Sequence, residues 1–233
     1  MRYAALAYHL PKPLRRHILH FETAIADAVA DLARNLPAGA RILDAGAGEG
    51  QYAHRFTRQR YYGVDLAVGD KAWDYSKLDA VADLTALPFR AGIFDAAINM
   101  VTLEHLREPS LALAEIARTL APGGRLLIAA PHEWEVHQAP HDYFRYTRFG
   151  LQYLLEKAGL EVVEIRPAGG YFRLLARRLL NGIQFFTGGM RWLGFVPAAV
   201  LLVPPALVLP LLDALDRERN FTAGYICTAR KRP

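Results

Sequence analysis

Apolar residues recur at near-3.6 spacing over residues 14–36, where Leu14, Ile18, Ile25, Val29, Leu32 and Leu36 share one face. That spacing predicts an amphipathic helix, ended by Pro37 and Gly39. Beyond it the pattern alternates. Short apolar runs predict strands over 41–45, 61–66, 79–82, 93–100, 125–130 and 162–166, with a last one over 224–229. A helix is expected to begin near Gln51. Ser110 is placed to cap another, with Leu113, Ile116, Ala117 and Leu120 on one stripe and Pro122-Gly123-Gly124 as its stop. Thr147 is placed to cap a third, with Leu151, Leu154, Leu155 and Ala158 inward and Gly159 at its end. Alternation at this spacing predicts a parallel sheet covered on both faces. Such sheets bind ligands outside the carboxyl ends of their strands.

Residues 168–221 break the alternation. Arg173, Arg177 and Arg178 lie in a helix-like stretch with Leu174, Leu175, Leu179 and Leu180. The 21 residues from Trp192 to Leu212 then carry no charge. That length matches a hydrocarbon core, but Pro197, Pro204, Pro205 and Pro210 oppose one straight helix. Three placements stay open: a broken apolar element in one leaflet, an element packed on the sheet or on a second subunit and roofing an acceptor pocket, or a kinked span. Phe185, Phe186, Trp192 and Phe195 stand at its front edge. Arg173, Arg177, Arg178 and Arg191 precede it, and Arg217 and Arg219 follow, as at a membrane interface.

Composition sharpens this picture. A chain of 233 residues, 52% hydrophobic and 22% charged, fits one folded domain and excludes a disordered tail or linker. The single cysteine, Cys227, excludes a disulfide framework and a cysteine-based zinc site, and fits a reducing compartment. The net charge of +5 is unevenly spread. Residues 1–165 hold 18 Lys+Arg and 20 Asp+Glu, a balance of −2, whereas residues 166–233 hold 10 and 3, a balance of +7. The basic character therefore belongs to the segment that brackets the uncharged stretch, and points to an anionic membrane surface rather than nucleic acid. The first eleven residues have too short and interrupted an apolar run for a signal peptide. A cytoplasmic protein, peripheral at the inner face of the membrane, is expected.

The strongest chemical signal is Ile42-Leu43-Asp44-Ala45-Gly46-Ala47-Gly48-Glu49-Gly50. Glycines after a buried strand allow a sharp turn and close approach to a ligand. Asp65, 21 residues after Asp44, ends the second strand, where an acid accepts hydrogen bonds from ribose hydroxyls. A tight turn without a ligand is the bland alternative. A dinucleotide oxidoreductase shares the geometry, but the third glycine is misplaced for a pyrophosphate. Asp44 and Glu49 also disfavour a diphosphate and suit a ligand with positive charge.

These residues, with Ala82-Asp83-Leu84 before Leu87-Pro88-Phe89, Phe94-Asp95-Ala96-Ala97-Ile98-Asn99, Leu103-Glu104-His105-Leu106 and Glu115-Ile-Ala-Arg-Thr-Leu-Ala-Pro-Gly-Gly-Arg, resemble a class I S-adenosylmethionine-dependent methyltransferase over residues 40–166. The resemblance implies a Rossmann-like, seven-stranded, mostly parallel α/β sheet with an antiparallel last strand. An N-terminal helical cap over 1–39 and an apolar helical insertion over 168–221 would complete one methyltransferase domain. It implies S-adenosylmethionine as cofactor, with binding roles for Asp44, Gly46, Ala47, Gly48, Gly50, Asp65, Leu66, Asp83, Leu84 and Asn99. Asp83 would bond the adenine amine and Leu84 would pack on its ring. The segment 68–78 departs from the pattern, and its Trp73 is a candidate shield over the cofactor or simple packing.

Residues 131–147 follow the fifth strand and so overlie the sheet's carboxyl end. Methyl transfer to oxygen or nitrogen needs a proton removed, which suits a neutral histidine. His141, beside Asp142, is the first candidate base, with His137 and His105 behind it; a loop histidine bonded to backbone is the alternative for each. Arg145 is a candidate ion-pair anchor. A metal would need His132, His137 and His141 to converge, and their spacing gives no helical pair, so none is expected. Asn99-Met100-Val101-Thr102 replaces the motif suited to a flipped base, so nucleic acid is not an expected substrate. The expected partners are a small-molecule or lipidic acceptor, an anionic membrane surface and a second copy as homodimer. A non-catalytic cofactor-binding scaffold and a nucleotide-dependent oxidoreductase are the competing functions.

Overall fold

Seven strands make one sheet in the computed structural model, which describes residues 11–69, 72–186 and 188–233. The run from Met1 to Leu10, on which the signal-peptide argument mostly rests, lies outside the described residues. In chain order the strands are β1 (Arg41–Ala45), β2 (Arg60–Asp65), β3 (Ala80–Val81), β4 (Phe94–Met100), β5 (Leu120–Pro131), β6 (Leu160–Pro167) and β7 (Gly224–Lys231). Their order across the sheet is β3-β2-β1-β4-β5-β7-β6. β1 pairs in parallel with both β2 and β4, β4 with β5 likewise, and β7 runs antiparallel beside β5. Strand order therefore reverses between β1 and β4. The loops leaving these two strands diverge, which opens a crevice at their carboxyl ends.

The central strands read as continuous apolar runs because they are buried on both faces. All of β4 but Asp95 is buried. Phe94 lies fully inside, with its ring edge-on to Phe89 (5.0 Å between centroids) and to Tyr62 (5.6 Å). Asp95 faces out and accepts the Arg41 amide at the start of β1 (2.7 Å).

The helices differ from expectation in three places. The N-terminal periodic stretch is two helices, α1 (Lys12–Ile18) and α2 (His20–Asn35), with a turn at Leu19. Leu19 and Phe21 are both buried. Two residues apart on one straight helix they would point about 200° apart, so the break lets both go inside. No α-helix follows the glycine loop; a 3₁₀ turn, Ala53–Arg55, stands where one was expected near Gln51. Only nine residues separate Gly50 from β2, and nine residues of α-helix would rise about 14 Å with none left to turn. The next helix, α3 (Pro109–Thr119), starts at Pro109 rather than at a Ser110 cap, because proline's fixed φ presets the first helical position. Its expected stop, Pro122-Gly123-Gly124, lies instead within an irregular stretch of β5, where the β4 register shifts. In α4 (Arg148–Lys157) the Thr147 hydroxyl does accept the Gly150 amide (3.1 Å), and Gly159 takes φ +79° after the helix.

Among the described residues the chain divides into two compact units, residues 25–166 with 224–233 and residues 11–24 with 167–223. The first holds the sheet. The second is helical: α1, α5 (Tyr171–Ile183), α6 (Phe195–Val208) and the 3₁₀ segments Gly189–Gly194 and Leu209–Leu215. Two acids cap α5 there. Buried Asp213 accepts the amides of Gly170 and Arg173 and pairs with the Arg173 guanidinium (3.2 Å), while Asp216 accepts the Tyr171 amide (2.7 Å). Arg177 is buried against Glu22 (2.9 Å). Two of the arginines expected to face a membrane, Arg173 and Arg177, are thus committed to carboxylates inside their own unit.

Truncating Phe94 would remove a fully buried ring from the centre of the sheet. Phe94→Ala is expected to lower unfolding stability by about 3–5 kcal/mol, read as a lower midpoint in urea with an unchanged slope.

Candidate functional site

The glycine loop leaves β1 and bends back at once. The amides of Gly46 and Ala47 both donate to the Val64 carbonyl of β2 (2.8 and 3.0 Å). Gly46 has φ +91°, and a Cβ there would lie 2.2 Å from Thr102 Cγ2, so only glycine fits. Gly48 donates its amide to Asp65 Oδ2 (3.0 Å), and Ala67 donates to Asp65 Oδ1 (2.8 Å). Each Asp65 oxygen keeps a second acceptor site. The segment 72–78 folds against the loop: the Trp73 ring lies against Gly48, and Glu49 accepts the Asp74 amide (3.0 Å).

Asp44 is buried and accepts the Tyr61 hydroxyl (2.6 Å). Burial pushes its carboxyl up to about 7, against the Tyr61 hydrogen bond, and the Asp65 charge adds to the rise. Asn99, on β4, is also buried; its Nδ2 donates to the Ala45 carbonyl (2.7 Å) and its Oδ1 has no hydrogen-bond partner. Asn99 therefore ties β4 to the end of β1. Asp83 is exposed and holds a turn by accepting the amide and hydroxyl of Thr85 (both 2.8 Å). Leu84, expected to pack on a ligand's ring, is buried in the protein core instead, while Leu66 is exposed. A left-handed glycine cradle, a ribose-length acid with spare acceptor capacity and a buried acid beside them fit S-adenosylmethionine. Gly46, Ala47, Gly48, Gly50, Asp44 and Asp65 are the residues that would hold it.

The second half of the site comes from the loops after β4 and β5. The 3₁₀ turn Leu103–His105 presents Glu104 and His105. The loop after β5 docks on that turn: Tyr143 and Phe144 donate their amides to the Glu104 carbonyl (2.9 and 3.2 Å), and the Tyr146 hydroxyl donates to the Leu103 carbonyl (2.8 Å). Arg145 knits the loop to itself, through Asp142 (2.6 and 2.8 Å) and the carbonyls of Trp134, Glu135 and Phe144. Its guanidinium holds the Asp142 carboxyl down at about 2. Arg145 is thus the anchor of this loop.

The three candidate histidines part ways here. The Asp142 carboxylate is taken by Arg145 and by the His137 amide (2.8 Å), so the expected partnership of His141 with Asp142 is not formed. The His141 ring lies 3.3 Å from the Tyr143 hydroxyl instead. His105 and His137 do converge, edge to face at 4.7 Å between centroids, and each Nε2 is 3.7 Å from Glu104 Oε1. Burial works against a charged His137, but the Glu104 carboxylate, the Glu135 carbonyl and the Asp142 charge outweigh it and raise its pKa. His132 lies apart, against the Tyr225 ring. Glu104 was absent from the residues singled out for chemistry. The available signal was a carboxylate next to His105 at the end of a central strand.

Residues 16–165 match a family model described as a methyltransferase domain. The chain is similar to a tRNA (carboxymethyluridine(34)-5-O)-methyltransferase of Arabidopsis thaliana, 31% identical over 141 residues that span 56% of this chain and 33% of that protein. It is also similar to a ubiquinone/menaquinone biosynthesis C-methyltransferase of Ruegeria sp., 30% identical over 190 residues that span 74% of this chain and 70% of that protein. The chain spans less than half the length of several curated relatives it matches. The structure of Burkholderia thailandensis 1,6-didemethyltoxoflavin-N1-methyltransferase, with 1,6-didemethyltoxoflavin and S-adenosylhomocysteine bound, superposes with a TM-score of 0.54 at 20% identity, covering 89% of this chain and 77% of that one. That likeness shows the fold.

Asp44 gives the cofactor side a pH dependence. The native carboxyl holds its proton to about 7, far above its ordinary 3.8, so its burial subtracts stability as pH rises from 3.8 and the loss levels off above about 7. A cationic ligand favours the ionised form. Affinity for S-adenosylmethionine is therefore expected to rise as pH passes upward through about 7, with proton release on binding. Calorimetry in two buffers of different ionisation enthalpy reads both effects, and Asp44→Asn should remove this contribution.

Proposed function

The chain belongs to the class I S-adenosylmethionine-dependent methyltransferases, and on that premise we propose that it methylates a hydrophobic or lipid-linked acceptor at the cytoplasmic face of an anionic membrane. The observation that carries the acceptor class is the helical stretch Gly189–Leu215, long and apolar enough to cross a membrane by length and composition, yet only 17% buried over its most apolar part. Met190 is 88% exposed and Leu193 83%, and Trp192, Val196, Val200, Leu201, Leu211 and Leu215 are exposed with them. A soluble core helix would hide such residues. The α-helical part, Phe195–Val208, rises only about 21 Å, short of the roughly 30 Å hydrocarbon core. It is flanked by 3₁₀ segments and carries Pro204 and Pro205. These features support an element lying in one leaflet. Arg191, Arg217 and Arg219 are exposed at its two ends, in reach of anionic headgroups. Relatives named for ubiquinone and menaquinone biosynthesis agree with an apolar acceptor.

When bound, S-adenosylmethionine supplies a methyl group already activated by its positive sulfonium. The chain's own residues then align and shield. The loop of Gly46–Gly50 and Asp65 fix the donor over β1. The Arg145-braced loop after β5 positions the acceptor over β4 and β5 and excludes water. The acceptor's proton is lost at the Glu104–His105–His137 cluster.

Asp65→Ala removes a charged hydrogen-bond acceptor and is expected to weaken S-adenosylmethionine binding by about ten- to a hundredfold by calorimetry. A folded wild-type chain that binds no S-adenosylmethionine would end the methyltransferase reading. Vesicles with phosphatidylglycerol are expected to sediment the chain, phosphatidylcholine vesicles far less, and Val200→Asp with Leu201→Asp to cut binding at least about tenfold. A chain that stays in the supernatant with both vesicle types would sink the membrane assignment.

A further inference from the structure

We propose that Glu104, His105 and His137 form a binding site for one divalent transition-metal ion of the zinc type, between the loops that follow β4 and β5. Three observations carry this. First, the geometry is that of a ligand set: one donor atom from each residue lies within 4.8 Å of the others. Each Nε2 stands 3.7 Å from Glu104 Oε1. Two ligands, each about 2.1 Å from an ion at a tetrahedral angle, stand about 3.4 Å apart, so both carboxylate–imidazole separations lie within a few tenths of an ångström of that spacing.

Second, Glu104 is 0% exposed and neither of its carboxylate oxygens has a hydrogen-bond donor. A buried carboxylate without a donor is costly unless a cation answers it. Third, the outer nitrogens of both rings are already committed. His105 Nδ1 donates to the His141 carbonyl (2.5 Å), and His137 Nδ1 donates to the Glu135 carbonyl (3.1 Å). Carbonyl oxygens only accept, so each Nδ1 carries a proton, and a metal ion would displace any proton on the inward Nε2 and take its lone pair. Backbone carbonyls that fix the outer nitrogen are the usual support of histidine ligands. The two Nε2 atoms and the Glu104 carboxylate then face one another as three possible ligand atoms. A proton on Nε2 does not bridge the gap, since 3.7 Å exceeds a hydrogen bond.

Two imidazoles and one carboxylate favour zinc, cobalt, nickel, manganese or iron(II) over magnesium and calcium, which prefer oxygen ligands. His132 and His141, the other histidines of the loop after β5, contribute no ligand atom. Three protein ligands leave one coordination position open. On the methyl-transfer reading, and only on it, that position would take an oxygen of the acceptor and lower its pKa, so that its proton would leave to water at this cluster with the two imidazoles as ligands.

The test uses the full chain without a polyhistidine tag, stripped with a chelator and dialysed, and no S-adenosylmethionine or acceptor. Cobalt(II) is expected to bind with one-to-one stoichiometry and to give the visible absorption of a low-coordinate site, displaced by zinc. His137→Ala and Glu104→Gln, each checked for native circular dichroism, are expected to weaken binding by about 100-fold or more, beyond the loss typical of an outer-shell partner. His132→Ala is expected to bind as the wild type does. Lack of stoichiometric binding by the folded wild-type chain would overturn the proposal. Binding that His137→Ala leaves unchanged would overturn it too, which keeps the test decisive should Glu104→Gln fail to fold. Either failure leaves the methyltransferase reading standing, because cofactor binding is measured separately.

Discussion

At the seam between β1 and β4 the Ala45 carbonyl accepts from the buried Asn99 side chain, and one residue on Gly46 lies so close to Thr102 that no Cβ fits between them. This close approach fixes where the two loops separate. The glycine loop is turned toward β2 by the Val64 carbonyl, and the chain after β4 continues into the turn that carries Glu104 and His105. A side chain at position 46 would push Thr102 away and move both halves of the site at once.

The two halves are built on different electrostatics. The donor side gathers carboxylates, Asp44 and Asp65; burial, with a smaller part from the Asp65 charge, raises Asp44 and suits it to a cation. The other half, formed by the loops after β4 and β5, is held in place by the Arg145–Asp142 pair. Beside it Glu104 is buried without a donor, next to two histidines whose outer nitrogens bond backbone carbonyls.

The helical unit follows the same economy of charge. Asp213 and Asp216 stabilise the start of α5, and Arg173 and Arg177 are absorbed into pairs. What remains exposed is apolar surface between Gly189 and Leu215, bracketed by Arg191, Arg217 and Arg219. The sequence showed the basic bias of this region, but not that two of its arginines are internal.

The strands were legible because a strand buried on both faces is mostly apolar, as 41–45 and 93–100 are apart from Arg41, Asp44, Asp95 and Asn99. The glycine loop was legible because left-handed backbone at Gly46, Gly48 and Gly50 demands that residue. Local signals misled where geometry outweighed them: at Gln51, where too few residues remained for a helix, and at Ser110, where Pro109 set the first turn. The acceptor side could not be read along the chain. His141 and Asp142 are neighbours in sequence, yet Asp142 turns to Arg145 and His137. Glu104 and His137 are 33 residues apart and meet because β4 and β5 are parallel neighbours, which brings the loops after their carboxyl ends together. Sequence by itself determined the sheet and the donor cradle, since burial and backbone conformation restrict residue type one position at a time. The tertiary structure alone decided which acids and histidines face one another, because a long-range pair is set by strand order and leaves no spacing in the sequence.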